Sequence, residues 1–268
     1  GEGHAVRTAI DSGRRREDEL LDARRDDPAI DHPDAARRRG IVPVEHGRRA
    51  LSAASRVFYH HPDRRVHFTG ITGTNGKTTT TRLIDTLCLE LGLRTGRFTS
   101  PHLESFLERI SINGEPISPE AMIATYDDIA MYLDLVDSRM SNKLSFFEAV
   151  TALSFVAFAE FPVDVGIFEC GMGGEWDSTN VINASINVMT PIGFDHMQYL
   201  GDTLTKIATT KSGIFKEGSF AVMARQEKEA ATVLMMKAAE MSATPVREGI
   251  EYSVSSRTVA IGGQMINI

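Results

Sequence analysis

Residues 70–79 read GITGTNGKTT, and this stretch decides the fold. The short segment before it, Val66–Thr69, is β-prone. The segment after it, Thr80–Leu91, carries Leu83, Ile84, Leu87, Cys88 and Leu91 at helical spacing. Strand, glycine-bounded loop with Gly-Lys-Thr, then helix is the context that a phosphate-binding loop requires. The loop's N–H groups can wrap a polyphosphate at the positive end of a helix. Lys77 adds a charge that can reach the phosphates, and the hydroxyl of Thr78, or of Thr79 beside it, can hold Mg²⁺. The spacing departs from the common GxxxxGK[ST] form, because Gly70 and Gly73 both precede Gly76-Lys77.

Working outward, the pattern on both sides is regular. Thr95–Thr99 reads as a strand, and Ile110–Ile112 and Glu115–Ile117 form a hairpin about Asn113-Gly114. Ser118-Pro119-Glu120 opens a helix that runs to about Arg139, with Ser118 as N-cap and Pro119 at its first position. Ser145–Phe161 is a second, mostly apolar helix ended by Pro162. Val163–Phe168, Ser185–Thr190 and Ser219–Ala224 read as strands, Thr203–Lys211 and Lys228–Met241 as helices. Glu251–Ile268 reads as strands with a turn at Gly262-Gly263. Strands alternating with helices imply an α/β domain: a mainly parallel sheet with helices on both faces, binding its ligand at the carboxyl ends of the strands.

Two of those ends carry further chemistry. One delivers Glu169-Cys170-Gly171-Met172-Gly173-Gly174, where an acid beside a phosphate loop suits a Mg²⁺ ligand, or else is a surface acid at a turn. The other leads to Gly193-Phe194-Asp195-His196, an Asp-His pair that can ligate a metal or orient a water, although a single His is more often structural.

Composition narrows the class. The chain has 268 residues, 42% of them hydrophobic, a net charge of −7 and two cysteines, Cys88 and Cys170. The length suits one large α/β domain. The negative charge argues against a nucleic-acid or membrane surface. Two cysteines without CxxC spacing read as reduced thiols of a cytoplasmic protein. Residues 1–43 form a mixed-charge segment with Arg14-Arg15-Arg16, Asp26-Asp27 and Arg37-Arg38-Arg39, read as disordered or as a loose solvated helix. Neighbouring acids nearly cancel its arginines as a nucleic-acid patch. Between Val44 and Tyr59 a short helix is expected, with Ala50, Leu51, Ala54, Val57 and Phe58 on one side. The ordered domain is expected to span 44–268.

From Arg65 to Ile268 the motifs appear in a specific order: ITGTNGKTT at 71–79, TGRFTSPHLESFLERISINGEPIS at 95–118, SFFEAVTA at 145–152, ECGMGGEWDSTNVIN at 169–183, PIGFDHMQYLGDT at 191–203 and KSGIFK at 211–216. With these the chain resembles the folylpolyglutamate synthase/dihydrofolate synthase family, a branch of the Mur-ligase-like ATP-dependent amide ligases. The TSPHL and ERI segments separate that branch from the peptidoglycan ligases that share the phosphate loop.

The resemblance implies ATP and Mg²⁺ as cofactors, with Gly73, Thr74, Asn75, Gly76, Lys77, Thr78 and Thr79 around the nucleotide. Lys77 would contact the phosphates; Thr78 or Thr79 and Glu169 would hold a first Mg²⁺. Ser100 and His196 would hold a second, with Lys211, which matches a lysine that the family carries as a carbamate, an anionic metal ligand. Phe146, Phe147, Asp177 and Ser178 match positions lining a pterin pocket, where rings suit a flat heterocycle and Asp can pair with its N–H groups. A phenylalanine pair in an apolar helix is otherwise core. The implied activity joins L-glutamate to dihydropteroate or to tetrahydrofolate through an acyl phosphate, in a monomeric enzyme. Glu175 and Ser178 stand where Arg and Ala are common, and Thr78-Thr79 where the family often has Gly-Ser.

Family members run well past 400 residues, so the resemblance also implies that a C-terminal domain is missing here and that this chain alone is inactive. Two other readings stand beside it: an ATP-binding fragment without ligase activity, and a peptidoglycan-type ligase, which expects a UDP-sugar domain ahead of the loop.

Overall fold

A computed structural model of the protein describes residues 66–261 and 263–268. The charged segment 1–43 and the helix expected between Val44 and Tyr59 lie outside the described residues.

The quoted stretch does join a strand to a helix. Strand β1 (His67–Thr72) is buried at every position after the first, as a central strand covered on both faces must be. The chain turns through Gly73–Gly76 and enters α1 (Lys77–Glu90) at once. Gly76 occupies the N-cap at φ 83°, a left-handed conformation that glycine adopts without strain, and it offers the helix no side-chain cap. The N–H groups of the first turn are thus left for a ligand.

The remaining strands are β2 (Thr95–Phe98), β3 (Ile110–Ile112), β4 (Glu115–Pro116), β5 (Val165–Glu169), β6 (Ile186–Met189), β7 (Phe220–Met223) and β8 (Thr244–Arg247), in the sheet order β4-β3-β2-β5-β1-β6-β7-β8. From β2 to β8 every pairing is parallel; β3 and β4 add an antiparallel hairpin. That hairpin turns where expected, Asn113 and Gly114 both having positive φ.

Helices α2 (Pro119–Arg139) and α3 (Phe146–Glu160) are started by local chemistry. The Ser118 hydroxyl accepts from Ala121 N, with Pro119 in the first turn, and Ser145 and Glu148 form a reciprocal capping box. Helices α4 (Met197–Leu200), α5 (Leu204–Ser212) and α6 (Lys228–Glu240) complete the described set.

Alternation along β2 assigns the layers. Thr95 and Arg97 bond to Asp85 of α1, whereas Gly96 and Phe98 meet Phe158 and Phe147 of α3. Phe168 is the centre of the α3-side core, with the rings of Phe68, Phe98, Phe155 and Phe158 at 5.0–5.8 Å. Phe158 fits because position 96 is glycine: a Cβ there would stand 2.6 Å from its ring. Gly96→Ala is expected to destabilise by about 1–3 kcal/mol through overpacking, read as a lowered urea midpoint at unchanged slope. A second core joins Ile207 and Phe215 to Leu234 of α6 beneath β6 and β7.

Two features depart from the sequence expectation. The helical period of α1 is as read, but Leu83, Leu87 and Leu91 are exposed, and the buried positions are Thr81 and Asp85. Specific polar partners outweigh hydrophobicity on this face: the Thr81 hydroxyl donates to Lys77 O, and Asp85 pairs with Arg97. Strand β8 has no counterpart in the sequence expectation; it is an edge strand, where the missing N–H of Pro245 is tolerated. Beyond it, β9 (Ser256–Ala260) and β10 (Gly263–Asn267) form the antiparallel ribbon expected near the end, separate from the main sheet and exposed along its length.

Helices α2 and α3 also share a titrating contact. Glu160 hydrogen-bonds Asp128, and burial, that bond and the Asp128 charge push its carboxyl up to about 7. A carboxyl raised in the folded state contributes stability below its unfolded pKa of about 4.3 and loses that contribution as pH rises through the folded value. Wild type is therefore expected to lose thermal stability between pH 4.5 and 7.5 relative to Glu160→Gln, which cannot ionise; parallel melts at the two pH values check it.

Candidate functional site

The carboxyl ends of β1, β5 and β6 lie side by side, and the chain leaves each into a segment that meets the others. From β1 comes the loop 73–76. Gly73 has φ 144°, and a Cβ there would run into Thr190 beyond the end of β6. The loop is fastened to that neighbour by Thr74: its N–H bonds Pro191 O at 3.0 Å, and its hydroxyl donates to Gly193 O at 3.0 Å and accepts from Gly193 N at 2.9 Å. Asn75 and Gly76 are exposed at the tip.

Strand β5 delivers Glu169, which is 1% exposed. The Thr78 hydroxyl donates to its Oε1 at 2.8 Å, while Oε2 is buried with no hydrogen-bond partner among the described residues. Burial raises the Glu169 carboxyl above its ordinary range; the Thr78 hydroxyl, Lys77 and a Ser100 backbone hydrogen bond pull it back. The structure thus distinguishes the two threonines: Thr78 meets the acid and Thr79 is exposed.

Two lysines converge on the same loop. Lys77 Nζ donates to Gly73 O at 3.2 Å and Thr74 O at 3.4 Å, and Lys211 Nζ from α5 donates to Gly73 O at 2.9 Å. Burial first and then the Lys77 charge push the Lys211 ammonium down to about 8, against Cys170, Asp195 and Asp177. Two cations crowded onto one carbonyl, beside uncapped helix N–H groups, favour an anion. A buried carboxylate with an orphaned oxygen, next to a hydroxyl, suits a hard divalent cation. The residues present therefore fit Mg²⁺, which Thr78 and Glu169 would hold.

The other expected residues are placed as follows. His196 has φ 48°; its Nε2 lies 3.5 Å from Asp195 Oδ2 and its N–H bonds Asp195 Oδ1 at 2.8 Å, both side chains being about half exposed. Ser100 precedes a cis peptide bond to Pro101. Among the described residues no three His, Cys, Asp or Glu side chains gather as a metal cluster.

Phe146 and Phe147, at the start of α3, are half-buried. Phe146 packs on Phe106 at 5.4 Å and under the Arg109 guanidinium at 5.2 Å; Phe147 packs on Phe98 at 5.7 Å and over Gly171. Asp177 is the N-cap of a 3₁₀ turn, Ser178–Val181. Its Oδ2 accepts from Met172 N at 3.0 Å and its Oδ1 from Thr179 N and Oγ1, so its visible role is to shape the glycine segment. The Ser178 hydroxyl lies 3.1 Å from Thr151 Oγ1.

The sequence reading passed over three groups: Gln226, which bonds the backbone of 189–192; the pair Arg109–His102, with Nε donating to Nδ1 at 3.0 Å; and Asp85–Arg97. Only the last had a local signal, an acid within an otherwise apolar helical stretch.

A phosphate loop feeding a helix, a strand-end carboxylate facing it and a six-stranded parallel core define a P-loop α/β domain. The chain belongs to the Mur ligase middle-domain family, whose profile matches residues 71–259. It is 44% identical over 220 residues to the dihydrofolate synthase/folylpolyglutamate synthase of Mycobacterium tuberculosis, covering 77% of this chain and 45% of that protein. It is 42% identical over 186 residues to the enzyme of the same name from Bacillus subtilis, covering 69% and 43%. Among solved structures it is similar to the M. tuberculosis folylpolyglutamate synthase complexed with ADP and AMPPCP, with a TM-score of 0.76 at 44% identity over 81% of this chain and 51% of that one. It is also similar to a folylpolyglutamate synthase–AMPPCP–folate complex, with a TM-score of 0.75 at 32% identity over 82% and 54%. The chain thus spans about half the length of the relatives it matches.

Proposed function

We propose that the protein carrying this domain is an ATP-dependent ligase that joins L-glutamate to the carboxylate of a folate or dihydropteroate acceptor. The observation that carries the nucleotide half is the meeting of Lys77, Thr78 and the orphaned Glu169 Oε2 at the mouth of the loop. The acceptor half is supported by the relatives' names and by the half-buried Phe146 and Phe147 near the neighbouring strand end.

In the reaction an acceptor carboxylate oxygen attacks the γ-phosphorus of ATP, the bond to the bridging oxygen breaks, and ADP leaves. The glutamate amine then attacks the carbonyl carbon of the acyl phosphate, phosphate departs with its bonding pair, and the nitrogen loses a proton to give the amide. Lys77 turns from the carbonyls of Gly73 and Thr74 to the phosphates, where the free N–H groups of α1 also point. Bound Mg²⁺ supplies charge neutralisation on the transferring phosphoryl group. Ser100, His196 and Lys211, the last once carbamylated and so anionic, are proposed for a second such ion, and Asp177 and Ser178 for the wall of the acceptor pocket. The enzyme is monomeric and cytoplasmic in this reading, and its two free thiols are in keeping with a reducing compartment.

ADP release by the full-length protein is the test, with ATP, Mg²⁺ and glutamate supplied and dihydropteroate, tetrahydrofolate or a UDP-muramoyl peptide as acceptor. Turnover with either pterin supports the reading and shows which addition is made. Turnover only with the muramoyl peptide overturns the acceptor assignment. Binding of AMPPCP to this chain without turnover of any acceptor leaves the nucleotide-binding fragment as the better description.

A further inference from the structure

The phosphate loop does not stand alone: it is backed by residues 190–193, and that backing is held from behind by one side chain. Among the described residues, segment 190–193 continues from β6 with no strand partner on its outer side, so its backbone groups need partners from elsewhere. Gln226, in the turn between β7 and α6, supplies them. Its Oε1 accepts from Ile192 N at 3.0 Å, and its Nε2 donates to Thr190 O at 3.1 Å and Met189 O at 3.5 Å. A carboxamide suits this task because it carries an acceptor and a donor pair on one rigid plane. The loop leans on the same segment from the other side. Thr190 N–H and hydroxyl both donate to Thr72 O, at 2.9 and 3.2 Å; Thr190 sets the floor under Gly73; and Thr74 clips Pro191 and Gly193.

We infer that Gln226 is a positioning residue for the phosphate loop, acting through segment 190–193 and the Thr74 clip. Its contacts are with the backbone of 189–192; through them it fixes where Gly73 and Thr74 stand, and therefore where the N–H groups of the loop point. The inference rests on the nucleotide reading of the site. Loss of the carboxamide leaves Ile192 N–H and Thr190 O to find other partners, and the segment moves with the loop attached.

The test is a double-mutant cycle on AMPPCP affinity, measured by calorimetry on the full chain, with Gln226→Ala, Thr74→Val and the pair. Each single variant is expected to weaken binding by about 10-fold, the size of one lost hydrogen bond to a loop that must be pre-formed. The pair should be little worse than either alone, because both act on the same segment, 190–193. Full additivity in the pair, or a Gln226→Ala protein with lowered melting temperature and unchanged affinity, would overturn the inference. If Gln226→Ala does not purify, Gln226→Asn takes its place: the shorter carboxamide cannot span both partners and should show the same coupling. A wild-type chain that binds no AMPPCP counts against the nucleotide reading itself, and is distinguishable from wild-type binding with an unaffected Gln226 variant.

Discussion

Lys77→Ala is expected to cut turnover of the intact enzyme by about 10²–10³-fold, the effect of removing one preorganised group from the charge that develops on a transferring phosphoryl oxygen. The variant should fold normally. In the free protein Lys77 Nζ is partly buried and, among the described residues, holds only the carbonyls of its own loop, both open to replacement by water or by the Lys211 ammonium already on Gly73. AMPPCP affinity should fall by about 10–100-fold, as for a lost charge-assisted hydrogen bond. Lys77→Arg should recover little, because a planar fork does not replace a compact ammonium at this reach. Steady-state rates alongside circular dichroism decide it; wild-type rates in Lys77→Ala would remove the loop from the mechanism.

The largest effect on stability is expected away from the site, at Asp85. Its carboxylate is almost wholly buried between α1 and the sheet, with Oδ2 bonded to Arg97 Nη1 at 2.8 Å and Oδ1 to the Thr95 hydroxyl. Arg97 Nη2 reaches Ser111 Oγ on β3 at 2.8 Å, while its Nε has no partner among the described residues. Burial pushes the guanidinium pKa down, and the Asp85 charge opposes that. Asp85→Ala leaves a buried cation without its anion, which costs about 3–5 kcal/mol. Asp85→Leu with Arg97→Met, an apolar pair of similar volume, should recover most of that loss. Urea unfolding of the three proteins tests both statements, and a loss below about 1 kcal/mol in Asp85→Ala would mean that water reaches the guanidinium.

These cases show what the sequence makes legible. Where one short rule governs a position, it reads directly: Asn113-Gly114 turns the hairpin and Ser118-Pro119 starts α2. Glu169 was legible beside one of Thr78 and Thr79, because strand ends and loop ends meet at one edge of such a sheet, and the structure gives it to Thr78. What depends on residues far apart in the chain was not legible. Asp85 looks like a polar residue on an apolar helix until Arg97 is seen across from it. Gln226 has no local signal at all; its partners lie 34 to 37 positions earlier. Asp177 shows the opposite problem: a motif names the residue, while the geometry gives its oxygens to Met172 and Thr179.

The pairing of Asp85 with Arg97 also bears on how such a domain can drift over generations. A lineage that exchanges either residue first must pass through a chain with one unmatched charge sealed between helix and sheet, and few marginally stable proteins survive that step. The two positions are therefore free to vary only in concert, either by near-simultaneous change or after other substitutions have raised the stability of the whole, so that the ancestry of this helix is tied to that of a strand a dozen residues away.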